Sequence, residues 1–206
     1  MMLFIIPAKN ESATIAAVVL SCKKFGDVLV VDDNSNDGTC DIAELSGARI
    51  IHNLSGGYSG GIYDGIEYAR VHGFLSCITV DADGEHPFQS ISAVYSKLTE
   101  GFDLVVGRRP AARRIAERIY NYLYSFKFGI SLDYCCGLKG YRIDKLEDKN
   151  IGYQDKCGNK HFFEMLNIKN VSCGECEIVI NDRKNDSRFG GILSGNYKIL
   201  KTICKR

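Results

Sequence analysis

The chain has almost no net charge, no long apolar run and no low-complexity tract. Its 206 residues carry 26 basic and 25 acidic side chains, and a balance of +1 gives no global pull toward nucleic acid or a membrane. No nucleic-acid partner is expected. The uncharged stretch from Ser12 to Cys22 is 11 residues long, well short of the ~20 that a spanning helix needs. The opening MMLFII is followed at once by Pro7, Lys9 and Glu11, so it has neither the apolar core nor the cleavage site of a secretory leader. No repeat and no linker appears. With 25% charged and 10% aromatic residues the chain is not disordered, and its length suffices for one full core but not for two ordinary ones. The expectation is a single domain over residues 1–206, without a transmembrane segment and cytoplasmic.

The distribution of charge says more than its sum. Residues 1–100 hold 6 basic and 13 acidic groups, whereas 101–206 hold 20 and 12. A chain divided this way suits a substrate that brings both a cation and phosphates. Nine cysteines are an odd number without a leader, which fits reduced cytosolic thiols. Cys157, His161, Cys173 and Cys176 have a spacing compatible with zinc, but only Cys173 and Cys176 form a paired knuckle. Ordinary semi-buried thiols are the default reading there.

Strands and helices alternate along the chain. Apolar runs at Leu3–Pro7, Val28–Val31, Arg49–His52, Leu75–Val80 and Leu104–Val106 read as buried strands. Asn10 is placed to cap the first intervening helix and Asp37 the second, while Pro87 sits at the first turn of another. Strands that are apolar throughout, with helices between them, specify an α/β fold: a mostly parallel sheet with helices on both faces.

Ligands in such sheets bind beyond the carboxyl ends of the strands. There the chain places Pro7-Ala-Lys-Asn-Glu11, then Asp32-Asp33-Asn-Ser-Asn-Asp-Gly-Thr39, then Asp81-Ala-Asp83-Gly-Glu85-His86, then Gly107-Arg108-Arg109. Acidic groups gathered at three strand ends repel one another unless a cation joins them. Asp81 and Asp83 alternate on an extended segment, and hard oxygen ligands of this kind suit Mg²⁺ or Mn²⁺ completed by substrate phosphates. The stretch Gly56-Gly-Tyr-Ser-Gly-Gly61 lacks the order of a dinucleotide fingerprint and follows the third strand, not the first. No Gly-Lys-Ser/Thr occurs, which excludes a P-loop. The Gly-rich stretch reads as a loop whose glycines allow close helix–sheet packing.

Taken in order, PAKNE, VVDDNSNDGT, GYSGGIYDGIEYA, VDADGEHP and VVGRR resemble family-2 inverting glycosyltransferases of the GT-A fold. Within that family the chain looks closest to the dolichyl-phosphate mannose or glucose synthase group. Asp133-Tyr-Cys-Cys-Gly-Leu-Lys-Gly-Tyr-Arg142 and Asp182-Arg183 to Ser187-Arg188-Phe-Gly190 resemble later elements of that group. The resemblance implies that Pro7, Ala8, Asn10 and Glu11, with Asp32 or Asp33, hold the base and ribose of a nucleotide-sugar donor. It implies that Asp81, with Ala82 beside it, and Asp83 face the diphosphate through Mg²⁺ or Mn²⁺, Asp83 being the firmer ligand and Glu85 a further one. Arg109, Arg183 and Arg188 would gather phosphate oxygens, a task that suits the planar guanidinium fork.

Two acceptor classes divide the mechanism. A hydroxyl needs a general base, for which Asp133 is the candidate. A phosphate monoester is already an anion and needs cationic positioning instead, which the basic second half favours. Residues 111–130 bear on the choice: Ile115, Ile119, Tyr122 and Phe126 recur at helical spacing, with Arg113, Arg114 and Arg118 near the start. One reading is an amphipathic helix with that stripe in the core. The other sets the stripe against headgroups at the cytoplasmic membrane face, beside a polyprenyl phosphate; the family resemblance implies that Arg113 or Arg114 binds its phosphate. Polyprenyl-phosphate glycosylation is the leading expectation. The alternatives are the same donor with a saccharide acceptor in cell-surface polysaccharide or lipopolysaccharide assembly, and a nucleotidyltransferase or a binding module without turnover.

Overall fold

A computed structural model describes residues 1–111, 114–146 and 159–181, with residues 196, 197 and 199. Seven strands form one sheet: β1 (Met2–Ala8), β2 (Asp27–Asp32), β3 (Arg49–His52), β4 (Ser76–Thr79), β5 (Leu104–Arg108), β6 (Lys139–Arg142) and β7 (Cys173–Glu177). Their order is β3-β2-β1-β4-β6-β5-β7. β6 runs antiparallel to both β4 and β5, and every other pairing is parallel. β1 is central because it is apolar on both sides. Phe4 packs toward Phe25, which in turn stacks on Phe88 and Tyr95 of α4 (Phe88–Thr99). Ile5, one residue on, faces α3 (Gly57–Val71) across the opposite surface. Both faces of the sheet are therefore covered, as a parallel sheet requires.

α1 (Ile15–Cys22) buries Ile15, Val18 and Val19, the face its periodicity predicts. Its start does not follow prediction. Asn10 does not cap it; Thr14 is the N-cap, and Asn10 adopts φ 51° to bind the β2–α2 turn instead. α2 (Thr39–Leu45) starts after Gly38 rather than on a capping Asp37 side chain, although the Asp37 carboxylate accepts the Thr39 N–H at 3.1 Å.

The Gly-rich stretch is also not a loop beyond Gly56. From Gly57 it is the first two turns of α3, and its glycines let the helix lie on β1. A Cβ on Gly61 would sit 3.0 Å from Pro7 Cβ, and one on Gly65 would sit 2.2 Å from Ile5 Cγ2. Gly65→Ala is therefore expected to destabilise the fold by about 1–3 kcal/mol, the usual cost of overpacking. In urea titrations the double variant Gly65→Ala/Ile5→Ala should lose less than the two single losses added together.

Candidate active site

The carboxyl ends of β1, β2, β4 and β5 share one edge of the sheet, and polar side chains lock the segments that leave it. The Glu11 N–H donates to Thr39 Oγ1 at 2.8 Å, and the Thr14 hydroxyl donates to the Ala82 carbonyl at 2.8 Å. Glu11 itself is buried, with Oε2 3.3 Å from that hydroxyl. Asn10 bridges to the β2–α2 turn: its N–H donates to Ser35 Oγ and its Oδ1 accepts from the Asn36 N–H, each at 2.9 Å. Pro7, Ala8 and Ala82 have buried side chains, and the Ala8 carbonyl accepts the Asp33 N–H at 2.8 Å.

Asp32 and Asp33 part company here. Asp32 is buried and closes a turn by accepting the Ser35 N–H on both oxygens. Asp33 is the more exposed of the two; its Oδ1 accepts from Asn53 Nδ2 and from the Gly57 N–H at the start of α3, both at 3.0 Å.

Beyond β4, Asp81 is gripped on both oxygens. Oδ1 accepts from the Tyr58 hydroxyl at 2.8 Å, and His86 Nε2 lies 3.2 Å from Oδ2. Withdrawal of the Tyr58 hydroxyl from water and the neighbouring Asp81 charge raise the phenol pKa, so the group remains a donor. Gly137 presses on the same carboxylate: a Cβ there would stand 2.3 Å from Asp81 Oδ2. Tyr58, His86 and Gly137 are functional neighbours that sequence reading passed over. The Gly-rich run around Tyr58 was the available signal.

Asp83 is partly exposed and accepts the Glu85 N–H at 3.0 Å. Glu85 is buried, and its carbonyl accepts the Asn181 N–H. Among the described residues no three His, Cys, Asp or Glu side chains are grouped to hold a metal. Asp81, Asp83 and Glu85 are thus no closed three-carboxylate cage. The two aspartates fit an ion that takes most of its shell from water and phosphate. The cysteine cluster gains no support either. Cys173 and Cys176 lie three residues apart on β7, which turns them to opposite faces, and His161 Nδ1 is 2.9 Å from Glu164 Oε2. Cys157 lies outside the described residues.

At the end of β5 two of the expected site residues meet each other. Arg109, expected to gather phosphate, has a side chain only 6% exposed and forms a fork with Asp133: Nε to Oδ2 at 2.7 Å and Nη2 to Oδ1 at 2.9 Å. Its Nη2 also lies 3.1 Å from Glu117, which Arg114 Nη1 reaches at 3.2 Å. Asp133, expected as a general base, also accepts from Asn121 Nδ2 at 3.2 Å. Burial works to raise the Asp133 pKa, but the Arg109 fork holds it below the ordinary carboxylate range, which makes it a weak base. The exposed guanidinium at this strand end is Arg108, 3.3 Å from Glu175. Arg108, Arg109, Asp133, Glu175, Tyr122 and Ser125 are among the residues that line a cavity of about 280 Å³. Arg113, Arg183 and Arg188 lie outside the described residues.

α5 (Ile115–Phe128) inverts the core-helix reading. Its buried side is Ala116, Glu117, Tyr120 and Tyr124, whereas Ile115, Ile119, Tyr122, Leu123 and Phe126 are exposed, Phe126 at 86%. The apolar stripe that periodicity selects points away from the core.

The Arg109–Asp133 pair generates a stability prediction. Arg109→Met leaves a buried carboxylate without its main partner and should cost about 3–5 kcal/mol, whereas Arg109→Met/Asp133→Leu should cost clearly less. Because the Asp133 pKa is depressed in the folded state, the pair's stabilisation is complete well above ~pH 3.9, the unfolded carboxylate value. It is lost as pH falls from there through the folded pKa. Denaturant titrations at pH 7 and pH 3 would show the two variants converging on the parent protein at the lower pH.

Comparison with known proteins agrees with this geometry. The family model for glycosyl transferase family 2 matches residues 3–154. Glycosyltransferase AglJ of Haloferax volcanii is 31% identical over 147 residues, which span 66% of this chain and 47% of that protein. The polyprenol monophosphomannose synthase of Mycolicibacterium smegmatis is 29% identical over 178 residues, spanning 76% of this chain and 67% of its own length. Against several curated relatives the chain spans only about half of their length. The crystal structure of glucosyl-3-phosphoglycerate synthase from Mycobacterium tuberculosis, in complex with Mn²⁺, UDP and phosphoglyceric acid, superposes with a TM-score of 0.78 at 16% identity. That superposition covers 100% of this chain and 78% of that one, and it establishes the shared fold. By its sequence match over most of its length, the chain belongs to glycosyl transferase family 2.

Proposed function

We propose that this chain transfers a sugar from a nucleoside-diphosphate sugar, GDP-mannose or a UDP-hexose, to a polyprenyl phosphate, working peripherally at the cytoplasmic face of a membrane. The observation that carries the acceptor half is the outward stripe of α5, five large apolar side chains left between 40% and 86% exposed. Tyr122 belongs both to that stripe and to the cavity beside Arg108 and Ser125. A lipid tail lying along α5 would bring its headgroup to the strand ends. Among the described residues no helix is long and apolar enough to cross a membrane, so contact through a helix face is the form of attachment proposed. The name of the mycolicibacterial relative, a polyprenol monophosphomannose synthase, points the same way.

The chemistry follows from the site. The anomeric C–O bond to the diphosphate breaks as the acceptor oxygen bonds to the opposite face of the sugar carbon, which inverts its configuration. Asp81 and Asp83 would hold Mg²⁺ or Mn²⁺, which when bound neutralises negative charge on the departing nucleoside diphosphate. Tyr58 and His86 fix Asp81 so that its oxygens need not reorganise when the diphosphate arrives. The acceptor phosphate needs no proton removed, which accords with an Asp133 whose carboxylate is committed to Arg109. A saccharide acceptor would need a base that Asp133 is badly placed to supply.

Incubation with radiolabelled donor, Mn²⁺ and polyprenyl phosphate should carry label into organic solvent, and Asp83→Ala should abolish that transfer. Label confined to water-soluble saccharide would overturn the lipid acceptor. The double variant Tyr122→Ser/Phe126→Ser should lower transfer to vesicle-borne acceptor roughly tenfold while donor binding is unchanged. Tyr58→Phe removes one hydrogen bond to a charged group, worth about 1.5–3 kcal/mol. It should lower kcat/KM by roughly one order of magnitude or more, with the fold intact by circular dichroism.

A further inference from the structure

Lys139 is the buried cation that none of the roles above uses. It lies on β6, paired with Thr79 of β4 and Val106 of β5, and is 5% exposed. Its neighbour Gly140 faces Leu98 and Val94 of α4, so the Lys139 side chain projects from the opposite surface of the sheet. There Nζ donates to Asn159 Oδ1 at 2.8 Å and to the Tyr134 carbonyl at 3.4 Å, and stands 4.9 Å from the centre of the Phe162 ring. Asn159 is the N-cap of α6 (Lys160–Asn167), and its Nδ2 reaches the Tyr134 carbonyl at 3.2 Å as well. Among the described residues no carboxylate forms an ion pair with Lys139.

A buried ammonium satisfied only by neutral acceptors is costly. A methionine of similar volume would fill this space without that cost. Position indicates what the charge does. Thr79 leads into Asp81, Val106 leads into Arg108, and the loop that Lys139 ties at Tyr134 carries Asp133 at one end and, at the other, the Gly137 that abuts Asp81. Burial holds the Lys139 pKa below the ordinary ammonium value, with the charges of Asp133 and Asp81 opposing that shift.

We propose that Lys139 is a positioning residue whose buried charge, set on β6 between the strands that lead into Asp81 and Arg108, favours the diphosphate of the bound donor. The inference rests on the nucleotide-sugar reading given above. It concerns the charge and not the tether alone, and that distinction can be measured without turnover.

Calorimetry would compare UDP and GDP, with Mn²⁺, against the uncharged nucleosides uridine and guanosine. Whichever base binds, Lys139→Met should weaken the nucleoside diphosphate at least tenfold and leave the nucleoside within twofold, with a thermal midpoint no lower than the parent's. Equal weakening of both ligands would reduce Lys139 to a structural tether, and unchanged affinities would remove it from the site. If Lys139→Met does not fold, Lys139→Arg and Lys139→Gln provide the same comparison. The arginine variant should keep the preference for diphosphate and the glutamine variant lose it, and equal preference in the two overturns the proposal. A parent protein that binds neither nucleoside diphosphate would instead defeat the nucleotide-sugar reading itself.

Discussion

Carboxylates crowded at one edge of the sheet are the constraint around which the rest of the molecule is arranged. Asp32, Asp33, Asp81 and Asp83 lie on or just beyond parallel strands, and Asp133, in the segment between α5 and β6, joins that edge through its fork with Arg109. Each is held by donors that the surrounding chain supplies: Ser35 for Asp32, Asn53 and Gly57 for Asp33, Tyr58 and His86 for Asp81, Glu85 for Asp83, and Arg109 for Asp133. Most of these donors are neutral. The acidic edge is therefore fixed in geometry largely by neutral donors, and under the proposed function that remaining charge is what a cation and a phosphate ester would meet. At Asp33 the countercharge is Lys9, 3.6 Å away and part-exposed, whereas at Asp133 it is the Arg109 guanidinium, held in a two-point fork.

Helix α3 shows how packing and site depend on one another. Its glycines allow it to approach β1 closely enough that Tyr58, in the first turn, reaches Asp81 across the end of the sheet. With larger residues at Gly61 and Gly65 the helix would stand off, and the hydroxyl would withdraw from the carboxylate. A feature that resembles a phosphate-binding loop in sequence thus serves as a spacer that sets the position of an aspartate.

The parts legible in the sequence are those where hydrophobic pattern and burial coincide. β1 to β5 are apolar runs between turn residues, and all five lie where that pattern puts them to within a few residues. β6 was invisible because Lys-Gly-Tyr-Arg is short and polar, and it is a strand only because β4 and β5 flank it. The sequence leaves the face of α5 open between two readings for a different reason. Periodicity finds the larger apolar stripe, but the core side of this helix is built from tyrosines and a glutamate that answers Arg109. Hydrophobicity identifies a face; it does not say whether the core or something else covers it.

The same lesson applies to charge. The excess of basic residues in the second half suggests a positive field awaiting phosphate, yet the structure has already committed part of it. Arg109 and Arg114 meet Asp133 and Glu117, Arg142 meets Asp144, and Lys139 is buried among neutral acceptors. Counting arginines therefore overstates the positive charge that an acceptor meets, and a phosphate reading built on the count alone would fail. What distinguishes a lipid-linked phosphate from a free one on this surface is the apolar stripe of α5 beside the cavity. The choice of acceptor rests on which side of that helix faces outward.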